Sequence, residues 1–185
     1  MIKNSRASYG WLTIVMHWVS ALVVIAMFAA GWWMVELDYY STWYKTAPLY
    51  HKSTGILLCI LTLARLAWRL SHVSPRKIGL IWEQQAGKAA HVTLYILLFA
   101  LFCSGYLIST ADLRGIDVFN WFTLPSVGKL FDEQADLAGV VHEWLAYTLI
   151  GLTILHALAA LKHHFVNKDQ TLSRMLSPII KKELK

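Results

Sequence analysis

The sequence predicts an all-α integral membrane protein, a four-helix bundle with both termini cytoplasmic. Three observations carry that prediction: four long apolar stretches, a one-sided distribution of lysine and arginine, and histidines recurring at two depths within the stretches. Of the 185 residues, 57% are apolar and 15% charged, and the mean hydropathy is +0.47. A soluble domain of this size needs far less apolar surface. The chain reads as one membrane domain, 1–185, without internal repeat or low-complexity tract.

The apolar stretches fall at about 11–34, 48–70, 88–110 and 138–165. Each reaches the ~20 residues that a helix needs to cross about 30 Å of hydrocarbon. Backbone amides in lipid must be satisfied internally, and runs this continuous suit helices and not the short alternating strands of an outer-membrane barrel. The first stretch follows Lys3 and Arg6; it is longer than a signal-peptide core and three further spans follow, so it is predicted to be a retained anchor. The second carries His51, Gly55, Arg65 and Arg69, and the connection at 71–87 is basic with Pro75 and Gly79. The third carries His91. The outer loop, 111–137, holds Trp121-Phe122-Thr123-Leu124-Pro125, an apolar patch expected to lie at the interface as a short helix and cap the bundle. The fourth carries His142 and His156, and a tail at 166–185 follows.

Orientation follows from the cations. Lys3, Arg6, Arg65, Arg69, Arg76, Lys77, Lys88, Lys162, Lys168, Arg174, Lys181, Lys182 and Lys185 gather on the side of the termini, against Lys45, Lys52, Arg114 and Lys129 on the other. Positive flanks stay in the cytoplasm. The net charge of +6 therefore belongs to a surface facing anionic membrane lipid, and no nucleic acid is needed to explain it. Trp11, Trp32, Trp33, Tyr39, Tyr40, Trp43, Trp82 and Trp121 sit near span ends, as in an interfacial belt. Cys59 and Cys103 lie mid-span and read as small core residues. No Cys-x-x-Cys-His occurs, so any haem is held non-covalently.

An ionisable residue inside the membrane is costly and is a site hypothesis by default. In an up-and-down bundle His51 and His142 fall near the outer face, and His17, His91 and His156 near the inner face. His142 and His156 are fourteen residues apart, close to four turns, which puts them on one helix face about 21 Å apart. Arg65 repeats that offset from His51, so its guanidinium is expected at the inner level, where it would hold haem carboxylates or anchor the helix end. Gly55 and Gly151 would let a flat ring approach the backbone or simply aid helix packing. Facing neutral imidazoles in an apolar setting, with no carboxylate or thiolate completing a tetrahedral set, suit a six-coordinate iron porphyrin. Such iron has no open position, and electron transfer is the expected chemistry. Spacing alone leaves the inner partner of His156 open between His17 and His91.

The chain resembles the prokaryotic cytochrome b561 family over nearly its whole length. The residues carrying the resemblance are Ile14-Val15-Met16-His17-Trp18, His51-Lys52-Ser53-Thr54-Gly55 with Arg65 and Arg69, Ala90-His91-Val92-Thr93-Leu94-Tyr95, His142-Glu143, and the specific block from His156 to Phe165 followed by Lys168-Asp169 and Arg174-Met175. The resemblance implies two non-covalent haems b in a bundle of the bacterial inner membrane. It places His17 and His156 on the cytoplasmic haem, His51 and His142 on the periplasmic one. It also implies electron exchange with ubiquinone or menaquinone, and in some members oxidation of superoxide at the periplasmic face. The other reading is an electron-carrying membrane anchor for a separate redox enzyme. A transporter using the histidines as waypoints lacks the broken helices and paired carboxylates that such proteins use. Superoxide would meet Lys45, Lys52, Arg114 and Lys129, but Asp112, Asp117, Asp132, Glu133 and Asp136 share the outer loop, so no uniformly positive funnel forms.

Overall fold

The computed structural model describes residues 1–178; Lys181, Lys182 and Lys185 of the basic tail lie outside the described residues. Four helices account for most of the chain: α1 (Trp11–Val35), α2 (Thr46–Ser71), α3 (Ile81–Thr110) and α4 (Gln134–Phe165). All four are long and apolar enough to cross a membrane. Their flanks are coated with exposed large apolar side chains such as Leu22, Ile25, Ile60, Ile96, Trp144 and Leu155, a surface that only lipid or a partner can cover.

Helices α3 and α4 begin earlier than the apolar stretches at 88 and 138 suggested. With 30 and 32 residues they are about 45 and 48 Å long at 1.5 Å per residue, more than hydrocarbon alone requires. Hydropathy registers only the buried length. The additional turns are held by polar side chains: the Glu83 carboxylate accepts from the Leu80 backbone N–H at 2.9 Å in the first turn of α3. At the start of α4, the Gln134 side chain donates to the Leu107 carbonyl (2.9 Å) and accepts from Leu130 N–H (2.8 Å).

The helices pack as two close pairs, α1 with α2 and α3 with α4, and the pairs meet one another much more sparsely. At mid-height Leu97, Leu101 and Leu149 are buried together, with Val24, Leu145 and Leu152 against them. Leu149 is seven residues from both His142 and His156, so this apolar plug separates two levels of the bundle.

One end of the bundle gathers the N-terminal segment and the described residues after α4. Trp18 Nε1 donates to the Met175 carbonyl at 2.7 Å, Arg174 Nη1 to the Arg76 carbonyl at 3.0 Å, and Arg76 N–H to the Arg6 carbonyl at 3.0 Å. These bonds tie the N-terminal segment, the α2–α3 connection and the segment after α4 into one cap, here called the terminal end.

The opposite end corrects the expectation of a short helix at Trp121–Pro125. Residues Ile116–Val118 (β1) and Phe122–Leu124 (β2) form an antiparallel hairpin pairing Ile116 with Leu124 and Val118 with Phe122. Ile116 and Val118 are buried while Asp117 between them is exposed, the period-two alternation of a strand. Phe119 and Asn120 take φ of 47° and 60°, the signs of a primed hairpin turn. Sequence reading missed this because Phe at positive φ carries no turn signature. Ser53, fully buried on α2, accepts from Phe119 N–H and donates to the Asp117 carbonyl, both at 3.1 Å. The hairpin is thereby pinned two residues from His51.

Candidate haem-binding centre

Because the two close helix pairs meet one another sparsely, their inward faces are left to the histidines. His17 on α1 and His156 on α4 have ring centres 6.3 Å apart with planes at 73°. His51 on α2 and His142 on α4 stand 6.5 Å apart at 71°. Each pair crosses from one helix pair to the other, one at the terminal end and one beneath the hairpin. The fourteen-residue offset on α4 and the placing of Arg65 at the level of His17 are as the spacing predicted.

Two imidazoles bound through nitrogen on opposite sides of one metal, at about 2 Å per bond and roughly 1 Å from nitrogen to ring centre, have centres about 6 Å apart. Both cross-bundle pairs fit that distance. His91 and His156 are 5.1 Å apart on neighbouring, closely packed helices, short of that span and on one side of the bundle. Among the described residues no group of three or more His, Cys, Asp or Glu is placed to hold a metal ion, so a tetrahedral site of such ligands is absent there and paired imidazoles are what the fold offers.

Supporting bonds sharpen the outer pair. Ser104 Oγ lies 2.9 Å from His142 Nδ1 and donates to the Leu101 carbonyl at 3.1 Å. With its own proton committed, the hydroxyl accepts from Nδ1–H, which leaves the Nε2 lone pair free, the tautomer a metal ligand needs. His51 Nδ1 is buried without a hydrogen-bond partner. Both rings rest against glycines on the other two helices. A Cβ at Gly31 would lie 3.3 Å from His51 Cε1, and one at Gly105 would lie 3.2 Å from His142 Cε1. Sequence reading named neither of them, nor Ser104. Gly55, which it did name, would place its Cβ at an ordinary 3.6 Å from the Met27 methyl, and a Cβ at Gly151 meets nothing within 4 Å. A cleft of about 250 Å³ between α1 and α2, lined by Ala26, Met27, Ala30, Trp33 and Ala47, reaches His51.

At the inner pair, Arg65 Nη2 is 2.8 Å from His17 Nδ1. The guanidinium carbons of Arg65 and Arg69 lie 5.9 and 5.8 Å from the Tyr95 ring centre, and the Tyr95 hydroxyl is buried without a partner. Among the described residues neither arginine has a carboxylate partner. Two cations and an unsatisfied phenol at one level suit a ligand bearing carboxylates. On the hairpin side Arg114 pairs with Asp112 (3.2 Å) and Lys129 with Asp132 (2.7 Å), which leaves Lys45 and Lys52 as the cations there without a carboxylate partner among the described residues.

Residues 8–178 match the family model described as prokaryotic cytochrome b561. The chain is 46% identical over 175 residues to cytochrome b561 homolog 2 of Escherichia coli strain K12, covering 94% of this chain and 93% of that protein. It is 28% identical over 171 residues to cytochrome b561 homolog 1 of the same organism, covering 88% and 93%. Over 182 residues it is 32% identical to a protein of Yersinia pestis named probable superoxide oxidase CybB, covering 91% and 95%.

Proposed function

The chain belongs to the prokaryotic cytochrome b561 family, and from that premise we propose that it is a di-haem membrane cytochrome passing electrons to or from quinone, with superoxide as the donor at the hairpin end. The observation that carries this reading is the pair of cross-bundle imidazole couples at 6.3 and 6.5 Å. Haem b, when bound, supplies reversible one-electron transfer. His17 with His156, and His51 with His142, are the residues that would hold the two haems, and His91 is a neighbour of the inner pair. The apolar plug of Leu97, Leu101 and Leu149 keeps water from the space between the levels.

Arg65 has two mutually exclusive roles. A guanidinium donating to His17 Nδ1 requires the ring proton on Nε2, whereas ligation through Nε2 requires the proton on Nδ1. Ligation therefore turns Arg65 away from His17, and carboxylates of the cofactor are the acceptors that match it. The basic residues of the terminal end support a cytoplasmic placement for that end in the inner membrane, with the hairpin periplasmic. Similarity to a relative named probable superoxide oxidase supports superoxide as donor. The paired cations of the outer loop argue that access depends on the cleft that reaches His51 and not on a long-range positive field.

The test is a haem-to-protein ratio with reduced-minus-oxidised spectra, followed by quinone reduction driven by superoxide in proteoliposomes. Two haems with bis-histidine spectra and superoxide-dependent quinol formation are expected. One haem, or none, in well-folded protein would defeat the two-site assignment. Two haems without superoxide-dependent quinol formation would leave the cytochrome and remove the donor.

A further inference from the structure

Quinone reduction consumes protons, and an apolar bundle offers them no path from water. His163 continues the series His142, Leu149 and His156 along α4, seven residues after His156. Seven residues turn a helix to within about 20° of two full turns and advance it about 10 Å. The imidazole thus lies on the ligand-bearing face of α4, just beyond the inner pair at the terminal end.

His163 is held as a proton-exchanging group is held. Its Nδ1 lies 2.6 Å from Asp169 Oδ2, in a pair whose side chains are only 14% and 16% exposed. The Asn167 side-chain amide is 3.1 Å from the same nitrogen. Asp169 is fixed in turn: its N–H donates to the His163 carbonyl at 3.1 Å, and Thr171 N–H donates to its Oδ1 at 2.8 Å. Burial pushes the Asp169 carboxyl up, but the hydrogen bonds from Thr171 and His163 outweigh it and hold the group below the ordinary carboxylate range. A carboxylate there keeps a proton on Nδ1 and leaves Nε2 as the acceptor. Nε2 has no hydrogen-bond partner among the described residues.

The remaining charges around the ring come from α3 and from α4 itself. Gly79, at φ +89°, lies against both Glu83 and His163: a Cβ there would stand 2.7 Å from Glu83 Oε2 and 3.2 Å from His163 Cε1. Only glycine fits that backbone and that space. Glu83 is paired with Lys162 at 2.5 Å, so the charges facing His163 are Asp169, Glu83 and Lys162. The result is an imidazole with one nitrogen fixed by a carboxylate and the other free, between the mouth of the bundle and the inner histidines.

We propose that His163, oriented by Asp169 as its positioning residue, is the group through which the protons of quinone reduction enter at the terminal end. The proposal rests on the quinone reading above. Reduction of one quinone to quinol takes two electrons, released as two superoxide anions become dioxygen, and two protons that convert both carbonyl oxygens to hydroxyls. Nε2 takes each proton from water and passes it inward, returning each time to the neutral ring.

The experiment uses the full-length haem-loaded protein in proteoliposomes, with enzymatically generated superoxide and a short-chain ubiquinone, across pH 5.5–8.5 as an assay range. His163→Gln is expected to lower kcat at least tenfold with KM unchanged, to abolish the inflection of the pH profile, and to leave haem content and spectra as in wild type. Asp169→Asn is expected to lower kcat part of the way towards that of His163→Gln with KM unchanged, and added imidazole to restore turnover to His163→Ala. Wild-type kcat and pH profile in His163→Gln overturn the relay, as does haem loss in both His163→Gln and Asp169→Asn, which assigns the pair a purely structural role. Wild-type protein that binds haem but reduces no quinone fails the functional reading instead, so the two failures are distinguishable.

Discussion

In the proposed two-haem assignment, a methyl group added to a helix that carries neither ligand of the outer pair should weaken the outer haem alone. The site is Gly105 on α3, where a Cβ would stand 3.2 Å from His142 Cε1 and 3.5 Å from its Nδ1. Carbon contacts are comfortable at about 3.5–4.0 Å, so Gly105→Ala requires the imidazole to move by a few tenths of an ångström, away from the axis set by Ser104. Gly105→Val carries the crowding further, into the regime where overpacking costs about 1–3 kcal/mol. Taking about 1 kcal/mol for Ala and 2–3 for Val, outer-haem affinity falls roughly fivefold and 30–150-fold, at 1.4 kcal/mol per decade. Gly87→Ala on the same helix, where a Cβ meets nothing within 4 Å, should leave haem content as in wild type. The assay is haem titration of protein produced under haem limitation, with low-temperature spectra to tell the sites apart. Full occupancy of both sites in Gly105→Val, or equal loss from both, would refute the reasoning.

His142→Ala should remove the outer haem and keep the inner, and His156→Ala the reverse, as a haem-to-protein ratio near one with opposite surviving spectra; if His91→Ala and not His17→Ala mimics His156→Ala, the inner pair must be reassigned. Arg65→Ala should perturb the inner haem spectrum and potential and spare the outer, and equal shifts at both would contradict its place beside His17. Ser53→Ala strips the partners of Phe119 N–H and the Asp117 carbonyl; leaving buried groups unpaired costs about 1–3 kcal/mol, and amide exchange at 116–124 should quicken by one to two orders of magnitude with α2 unaffected. The Asp169 carboxyl is depressed below its ordinary value of 3.8, so the stability it lends is full above that pH and is lost as pH falls through the lower folded value. Proteolysis after α4 should therefore stay flat from neutral pH to about 5 and rise only under stronger acid; an onset near pH 6 would assign the effect to another group.

The four spans and the levels of the histidines were legible because both rest on helical arithmetic, and lipid rewards apolar periodicity over long runs. The early starts of α3 and α4 were not, because Glu83 and Gln134 extend them with side-chain hydrogen bonds beyond the reach of hydropathy. The hairpin was missed for a related reason: its turn uses Phe119 at positive φ, tolerated because Ser53 pins the strands from α2, a contact 66 residues away in sequence. At the site, histidines announce themselves by their cost in a membrane, whereas the serine and glycines that aim them do not. Ser104, Gly31 and Gly105 look like ordinary helix-packing residues until the helices are assembled. The proposed preference for His17 over His91 draws on the pairing of helices, since depth is the same for both and only position across the bundle separates them.

The division of the bundle into two close helix pairs has a consequence for how such a protein is put together. In the proposed assignment α1 and α2 supply His17 and His51, and α3 and α4 supply His142 and His156, so each helical hairpin owns half of every couple and no complete one. The hairpins can enter the bilayer one after the other as the chain is made, and the cofactor strengthens their union. Each ligand present at a hundred times its dissociation constant adds about 2.7 kcal/mol to the joined form, and two add about 5. That is comparable to the whole stability of a small domain. Haem supply would then set how firmly the newly inserted chain becomes a single body, and two separately produced halves, cut in the α2–α3 connection, would hold one another more tightly when haem is there to be shared.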